Sequence, residues 1–165
     1  MKVDVSSIVK TNGASLSISY NEVLQELSGV DDNFLFSKPV DFKGVLVNAS
    51  GMLKLEGLLK VNFTSRCSRC LKDMEGELGL RIRESFLESD KNSDSEAYTY
   101  DDNYILIDGV LKDNIILNLP VKQVCSESCM GLCQRCGVNL NEKECSCRDE
   151  EIHPQMEVLK KFFNN

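Results

Sequence analysis

Eight cysteines fall in three tight groups: Cys67-x2-Cys70, then Cys125-x3-Cys129-x3-Cys133-x2-Cys136, then Cys145-x-Cys147. In a secreted chain such spacings mark a disulfide framework; in a reducing compartment they mark metal ligands or a redox dithiol. The run Met1 to Lys10 (MKVDVSSIVK) lacks the charged-then-apolar pattern of a secretory signal. No apolar run approaches the roughly 20 residues that span a bilayer. A soluble, cytoplasmic chain without a membrane partner is therefore expected, and metal is the favoured use of the thiols.

Eight thiolates make two sets of four, the number that two tetrahedral zinc ions require. A C-x-x-C turn places two sulfurs on one edge of the tetrahedron with backbone N–H groups aimed at them. Gly137, directly after Cys136, can supply the positive φ that such a turn often needs. Two groupings fit the spacing. In the favoured one, Cys133, Cys136, Cys145 and Cys147 close a local knuckle, while Cys67 and Cys70 join Cys125 and Cys129 across a long loop, which constrains the unfolded chain. In the other, Cys67, Cys70, Cys133 and Cys136 share one site as in a zinc ribbon, and the remaining four form the second. An iron–sulfur cluster or unmetallated buried thiols are weaker uses of so many cysteines. A thioredoxin-like dithiol is weaker still, because Cys67-Ser-Arg-Cys70 has no βαβ surroundings and six thiols would be left over.

Composition bounds the rest. At 165 residues and 42% hydrophobic, the chain can bury its own core without staples. The formal net charge of -7 is carried by one stretch, Glu84 to Asp113, which holds nine carboxylates against two lysines. Its middle reads as an exposed acidic loop over 88–103, either a solvated linker or an arm that engages a basic partner. Just upstream the balance reverses. Lys60, Arg66, Arg69, Lys72, Arg81 and Arg83 face only Asp73, Glu75 and Glu77. Arg66, Arg69, Lys72, Arg81 and Arg83 are the candidate phosphate contacts, although a sequence pI near 4.8 argues against broad RNA affinity.

The pattern of elements is α+β: a mainly antiparallel β-sheet, two or three helices, and a cysteine-rich zinc-binding C-terminal segment. Val40 to Ala49, Met52 to Thr64 and Met74 to Arg83 read as antiparallel strands, with Met1 to Val9 and Ala14 to Tyr20 as edge strands. Asn21 to Leu27 has helical spacing, and Tyr104 to Ile107 is a further strand. Asp108 is expected to N-cap a helix that ends at Pro120. Pro154 to Phe163 is expected to form a last amphipathic helix. Residues 1–120 would hold the sheet and helices, and 121–165 the cysteine segment packed on the same domain.

No catalytic site is expected. The single histidine, His153, precedes Pro154 at a helix entry, and no phosphate-cradling or nucleophile motif is present. Four thiolates leave zinc no open position for water, so both sites read as structural. No small-molecule substrate is implied.

The ordered set Cys67-Ser-Arg-Cys70-Leu71, Leu119-Pro120 leading into Cys125-x3-Cys129, Gly131-Leu132-Cys133-x2-Cys136-Gly137-x-Asn139-Leu140-Asn141, Cys145-x-Cys147 and the closing PQMEVLKKF resembles the YceD family. These are the large ribosomal RNA subunit accumulation proteins of bacteria and plastids, and the likeness runs from about Val40 to the end. The resemblance implies a role in 23S rRNA accumulation and large-subunit assembly. It implies as partner either large-subunit rRNA or a small basic ribosomal protein, whose gene commonly lies beside that of the family member. Two modes of action follow: direct RNA contact through the five basic residues, or an acidic chaperone that holds the basic protein through Asp90 to Asp102.

Overall fold

The computed structural model describes residues 1–29, 33–89 and 97–147. The expected C-terminal helix at Pro154 to Phe163, His153 and the middle of the acidic stretch lie outside the described residues.

Three strands carry the molecule: β4 (Val40–Ala49), β5 (Met52–Arg66) and β6 (Asp73–Glu88). Their alternation decides the sides of the sheet. Along β5 the side chains of Leu53, Leu55, Leu59, Val61 and Phe63 are buried, while Lys54, Glu56, Leu58 and Lys60 face solvent. Ser50 and Gly51 join β4 to β5 with φ of 57° and 93°, the positive pair that a two-residue hairpin turn requires. β2 (Ser15–Glu22) lies outside β4, and a two-residue β3 (Phe34–Leu35) pairs with the far end of β5. A second, two-stranded sheet joins β1 (Lys2–Asp4) to β8 (Tyr104–Leu106) antiparallel.

Four expectations are corrected. Met1 to Val9 is not one strand: after β1 the chain turns into a short helix α1 (Ser6–Val9), begun where the Asp4 carboxylate accepts from the Ser6 N–H at 2.8 Å. Asn21 to Leu27 is not a helix, because β2 continues to Glu22 in register with Val40 and only Gln25–Leu27 form a 3-10 turn. Asp108 is not the N-cap of α2 (Ile107–Asn118); Leu106 takes that place, and the Asp108 carboxylate instead binds the Met1 ammonium. The acidic stretch is not all loop. β6 runs on to Glu88, and β7 (Tyr98–Tyr100) pairs parallel with it at Phe86 to Glu88, held by the Tyr98 ring 5.7 Å from that of Phe86.

One face of the large sheet packs against α1, α2, the 3-10 turn and the small sheet. Phe42, Leu46, Leu53, Leu55, Leu59, Ile82 and Phe86 meet Ile107, Leu111 and Ile115 of α2, all fully buried; each such side chain stabilises by about 1.5–3 kcal/mol. Among them sits the buried Asn48. Its amide donates to the carbonyls of Ile8 (2.8 Å) and Val9 (2.7 Å) at the end of α1, and its oxygen accepts from the Gly51 N–H at 2.9 Å. Asn48→Ala is expected to destabilise by about 2–3 kcal/mol, since it strands buried carbonyls as well as losing bonds; urea unfolding measures it.

Candidate metal centres

The β5–β6 hairpin ends in a tight knuckle, Cys67 to Lys72. The Cys67 N–H donates to the Lys72 carbonyl (2.9 Å) and the Leu71 N–H to the Cys67 carbonyl (2.9 Å). Residues 133–138 repeat this plan: the Cys133 N–H donates to Val138 O (2.8 Å) and the Gly137 N–H to Cys133 O (2.9 Å). The residue after the second cysteine has a positive φ in both, 60° at Leu71 and 70° at Gly137. Glycine accepts that conformation freely, whereas leucine is strained by it. Sequence alone pointed to Gly137 and passed over Leu71.

The two knuckles sort the eight sulfurs into two tetrads. Cys67, Cys70, Cys125 and Cys129 form one, and Cys133, Cys136, Cys145 and Cys147 the other; within each, all sulfurs lie within 4.8 Å of one another. The ribbon-like set of Cys67, Cys70, Cys133 and Cys136 is not what assembles. Cys67 Sγ lies 3.9 Å from Cys129 Sγ, and Cys70 Sγ 3.6 Å from Cys125 Sγ. In the second tetrad, Cys136 to Cys145 is 3.5 Å and Cys133 to Cys145 is 3.3 Å. A metal at about 2.3 Å from four tetrahedral sulfurs separates them by about 3.8 Å, close to these values, whereas a disulfide needs about 2.05 Å. The donor set fits a thiophilic, tetrahedral ion, and both tetrads can hold one. The first is largely sealed, with Cys67, Cys70 and Cys129 buried beside Met74, Val124 and Leu132. The second is open: Cys136 and Cys147 are exposed.

Backbone N–H groups tune the thiols. The N–H of Cys70, with those of Cys125 and Arg69, brings the Cys67 thiol down to about 6, and those of Cys136 and Arg135 do the same for Cys133. Cys125 is pushed up to about 12, first by the Cys129 sulfur and then by that of Cys70. A depressed thiol contributes stability above its unfolded pKa near 9 that is lost as pH falls through about 6; a raised one contributes below 9 and loses it as pH rises through about 12. Metal binding at pH 8 is therefore expected to release a proton from Cys125 and almost none from Cys67 or Cys133. Titration calorimetry in buffers of different ionisation enthalpy should give fewer protons per ion than the four that unperturbed thiols would yield.

Two side chains tie the centres together. Arg69, between the cysteines of the first knuckle, donates through Nη1 to the carbonyls of Glu127 (3.1 Å) and Cys129 (2.8 Å), while its own carbonyl accepts from the Leu132 N–H at 3.1 Å. Asn141, from the second knuckle, donates to Cys129 Sγ at 3.4 Å and accepts from the Met130 N–H at 2.9 Å. Sequence gave no sign of either role, because both depend on which loops meet.

The five basic candidates do not converge. Arg69 is engaged inside the first centre. Arg66 pairs with Asp73 at 3.5 Å on the hairpin tip, where Lys72 also lies. Arg81 and Arg83 lie far along β6, on its outward face, with Arg81 opposite Leu58. At about 3.4 Å per residue, eight residues of β5 put about 27 Å between Arg81 and the tip. Lys43 and Lys54 share that outward face and were missed, because strand register is not written in any one segment.

No helix among the described residues is long and apolar enough to cross a membrane. No solved structure matches the chain significantly. Uncharacterised proteins of Mycobacterium tuberculosis and Mycobacterium bovis are 27% identical over 96% of this chain and 79% of their own length. A chloroplast protein of Arabidopsis thaliana, named large ribosomal RNA subunit accumulation protein YCED homolog 1, is 24% identical over 68% of the chain and 45% of its own length. Its Zea mays namesake is 26% identical over 62% of the chain and 46% of its own length, so this chain spans about half of each plant relative. The family described as large ribosomal RNA subunit accumulation protein YceD matches residues 55–163, which take in most of the β5–β6 hairpin and all eight cysteines, and the chain belongs to that family.

Proposed function

We propose that this protein is a non-enzymatic assembly factor of the cytoplasm that supports accumulation of 23S rRNA and hence of the large ribosomal subunit. The observation that carries the reading is the family match across the hairpin and both cysteine tetrads. Two zinc ions, one on Cys67, Cys70, Cys125 and Cys129 and one on Cys133, Cys136, Cys145 and Cys147, act as structural clips: four thiolates fill a tetrahedron and leave no position for a reacting water. Binding, not catalysis, is then the mode of action. Deleting the gene should lower the ratio of 23S to 16S rRNA and the share of mature large subunits, and the intact gene supplied in trans should restore both. An unchanged ratio would overturn the reading. Metal analysis of protein purified without added metal should find two zinc ions per chain.

A second reading, capture of a small basic ribosomal protein, is favoured by a cleft of about 490 Å³ at the far end of the fold. Asp101, Asp102 and Asp113 line it together with Tyr98, Tyr100 and Tyr104; the Lys2 ammonium already lies 3.9 Å from the centroid of the Tyr104 ring, and the three carboxylates suit further lysine and arginine side chains. Salt-sensitive binding of such a protein, weakened by Asp101→Asn with Asp102→Asn, would support it.

A further inference from the structure

The sheet has one face in the core and one in water, and the watered face is not uniform. Strand register lines up its outward residues in rows: Lys43, Leu58 and Arg81 in one, Val45, Glu56 and Arg83 in the next, and Val47, Lys54 and Ser85 in a third. Four cations, Lys43, Lys54, Arg81 and Arg83, thus stand beside two exposed apolar side chains, Leu58 at 61% and Val45 at 41% exposure, with Glu56 at the centre of the patch. None of the four makes an ion pair among the described residues. Glu56 is the one carboxylate inside the patch. With strands about 4.8 Å apart and about 3.4 Å per residue along them, the cations cover roughly 13 by 10 Å.

Resting on the reading of this chain as a factor for large-subunit rRNA, we propose that this outward face of β4, β5 and β6 docks the sugar-phosphate backbone of double-helical RNA. Cations spread over a flat sheet match a polyanion with closely repeating charge, and they stand out because the whole chain carries -7. The choice of duplex over single strand comes from what the face omits. Single-stranded RNA is held by stacking bases on aromatic rings, and the outward positions of these three strands carry no aromatic; their carboxylates other than Glu56 (Asp41, Asp73, Glu75 and Glu77) lie toward the hairpin tip, outside the cationic patch. The aromatic side chains of β4, β5 and β6 (Phe42, Phe63 and Phe86) all point into the core. Duplex RNA offers instead a wide, shallow minor groove edged by phosphates and ribose, against which Leu58 and Val45 can lie while the four cations reach the backbone. Recognition is by shape and charge, without base sequence.

The test uses the full metal-loaded chain and fluorescence anisotropy with a 20-base-pair RNA duplex of arbitrary sequence, a single-stranded 20-mer and an acidic protein of matched charge. The duplex should bind best, and log Kd should rise with log salt with a slope near 3 to 4. Arg81→Glu with Arg83→Glu should weaken it more than about tenfold and lower the slope by about 2. Arg81→Lys with Arg83→Lys should keep it, and Arg66→Glu on the hairpin tip should bind as the parent does. Equal binding by the charge-reversed and parent chains, preference for the single strand, or binding of the acidic protein alone would each overturn the proposal. In the deletion strain, full restoration of 23S rRNA by the charge-reversed chain would overturn the surface and leave the wider function standing. Failure of the parent gene to restore it would overturn that function.

Discussion

Replacing Cys67 by serine is expected to take bound metal from two ions per chain to one and to free residues 121–132 from the hairpin, while the sheet stays folded. The chain from Val121 onward has no strand or helix among its described residues. What holds it to β5 and β6 is a bond from the Ser68 N–H to the Gln123 carbonyl at 2.8 Å, the clamp by Arg69, and the sulfur tetrad. The small core there is itself built from cysteines, with Met74, Val124 and Leu132 as its apolar neighbours, so it has little to fall back on without an ion. Structural zinc in small domains supplies about 10–16 kcal/mol of apparent binding energy. Loss of an outer-shell group costs about 10–100-fold in affinity; a ligand counts for more. Metal analysis, together with limited proteolysis near Cys125 to Leu132, measures both consequences. Retention of two ions by the variant would show that Cys67 is not a ligand. The second tetrad should keep its ion, at somewhat lower affinity, since its four ligands lie within one short segment.

Gly57→Ala should destabilise the sheet by about 3 kcal/mol, the upper end for an overpacked core. Gly44 and Gly57 face each other across β4 and β5, on the buried side. The Phe42 ring lies over both. A Cβ on Gly57 would stand 2.5 Å from Phe42 Cε2 and 2.7 Å from the Lys43 carbonyl oxygen, and one on Gly44 would stand 2.6 Å from Phe42 Cζ and 2.8 Å from the Glu56 carbonyl. The ring can move only by opening the core, and the backbone oxygens cannot move without breaking the ladder. Phe42→Leu in the same chain should therefore recover part of the loss and no more. Urea unfolding of the two single variants and the double separates ring from backbone. A change below about 0.5 kcal/mol in the single glycine variant would contradict this packing.

How much of this was legible beforehand divides by distance along the chain. The three long strands, the turn at Ser50-Gly51, the stop of α2 before Pro120 and the special backbone at Gly137 all follow from residues within a few positions of one another. So does the local closure of Cys133, Cys136, Cys145 and Cys147. The grouping of Cys67 and Cys70 with Cys125 and Cys129 stayed open, because two partitions satisfied the spacing and only the path of the chain chooses between them. Arg69 read as a surface cation, yet its guanidinium faces the carbonyls of a loop that arrives more than fifty residues later. Helical spacing at Val23, Leu24 and Leu27 misled for a related reason: pairing of Asn21 and Glu22 with β4 outweighed local propensity. Lys43 and Lys54 carried no signal alone; they join Arg81 and Arg83 only after register is set.

The bond from the Asn141 amide to Cys129 Sγ crosses from one ligand set to the other, and that has a thermodynamic consequence. Asn141 is held in place by the second knuckle, through the Asn139 side chain at 2.8 Å, so filling that knuckle fixes the donor that favours the Cys129 thiolate. Occupancies joined in this way are reciprocal: whatever affinity the outer ion lends to the inner one, the inner returns in equal measure. With both tetrads loaded as proposed, a chain that loses its exposed ion is no longer the same host for the buried one, and the docking of the 121–132 segment would then depend on how much free metal surrounds the protein.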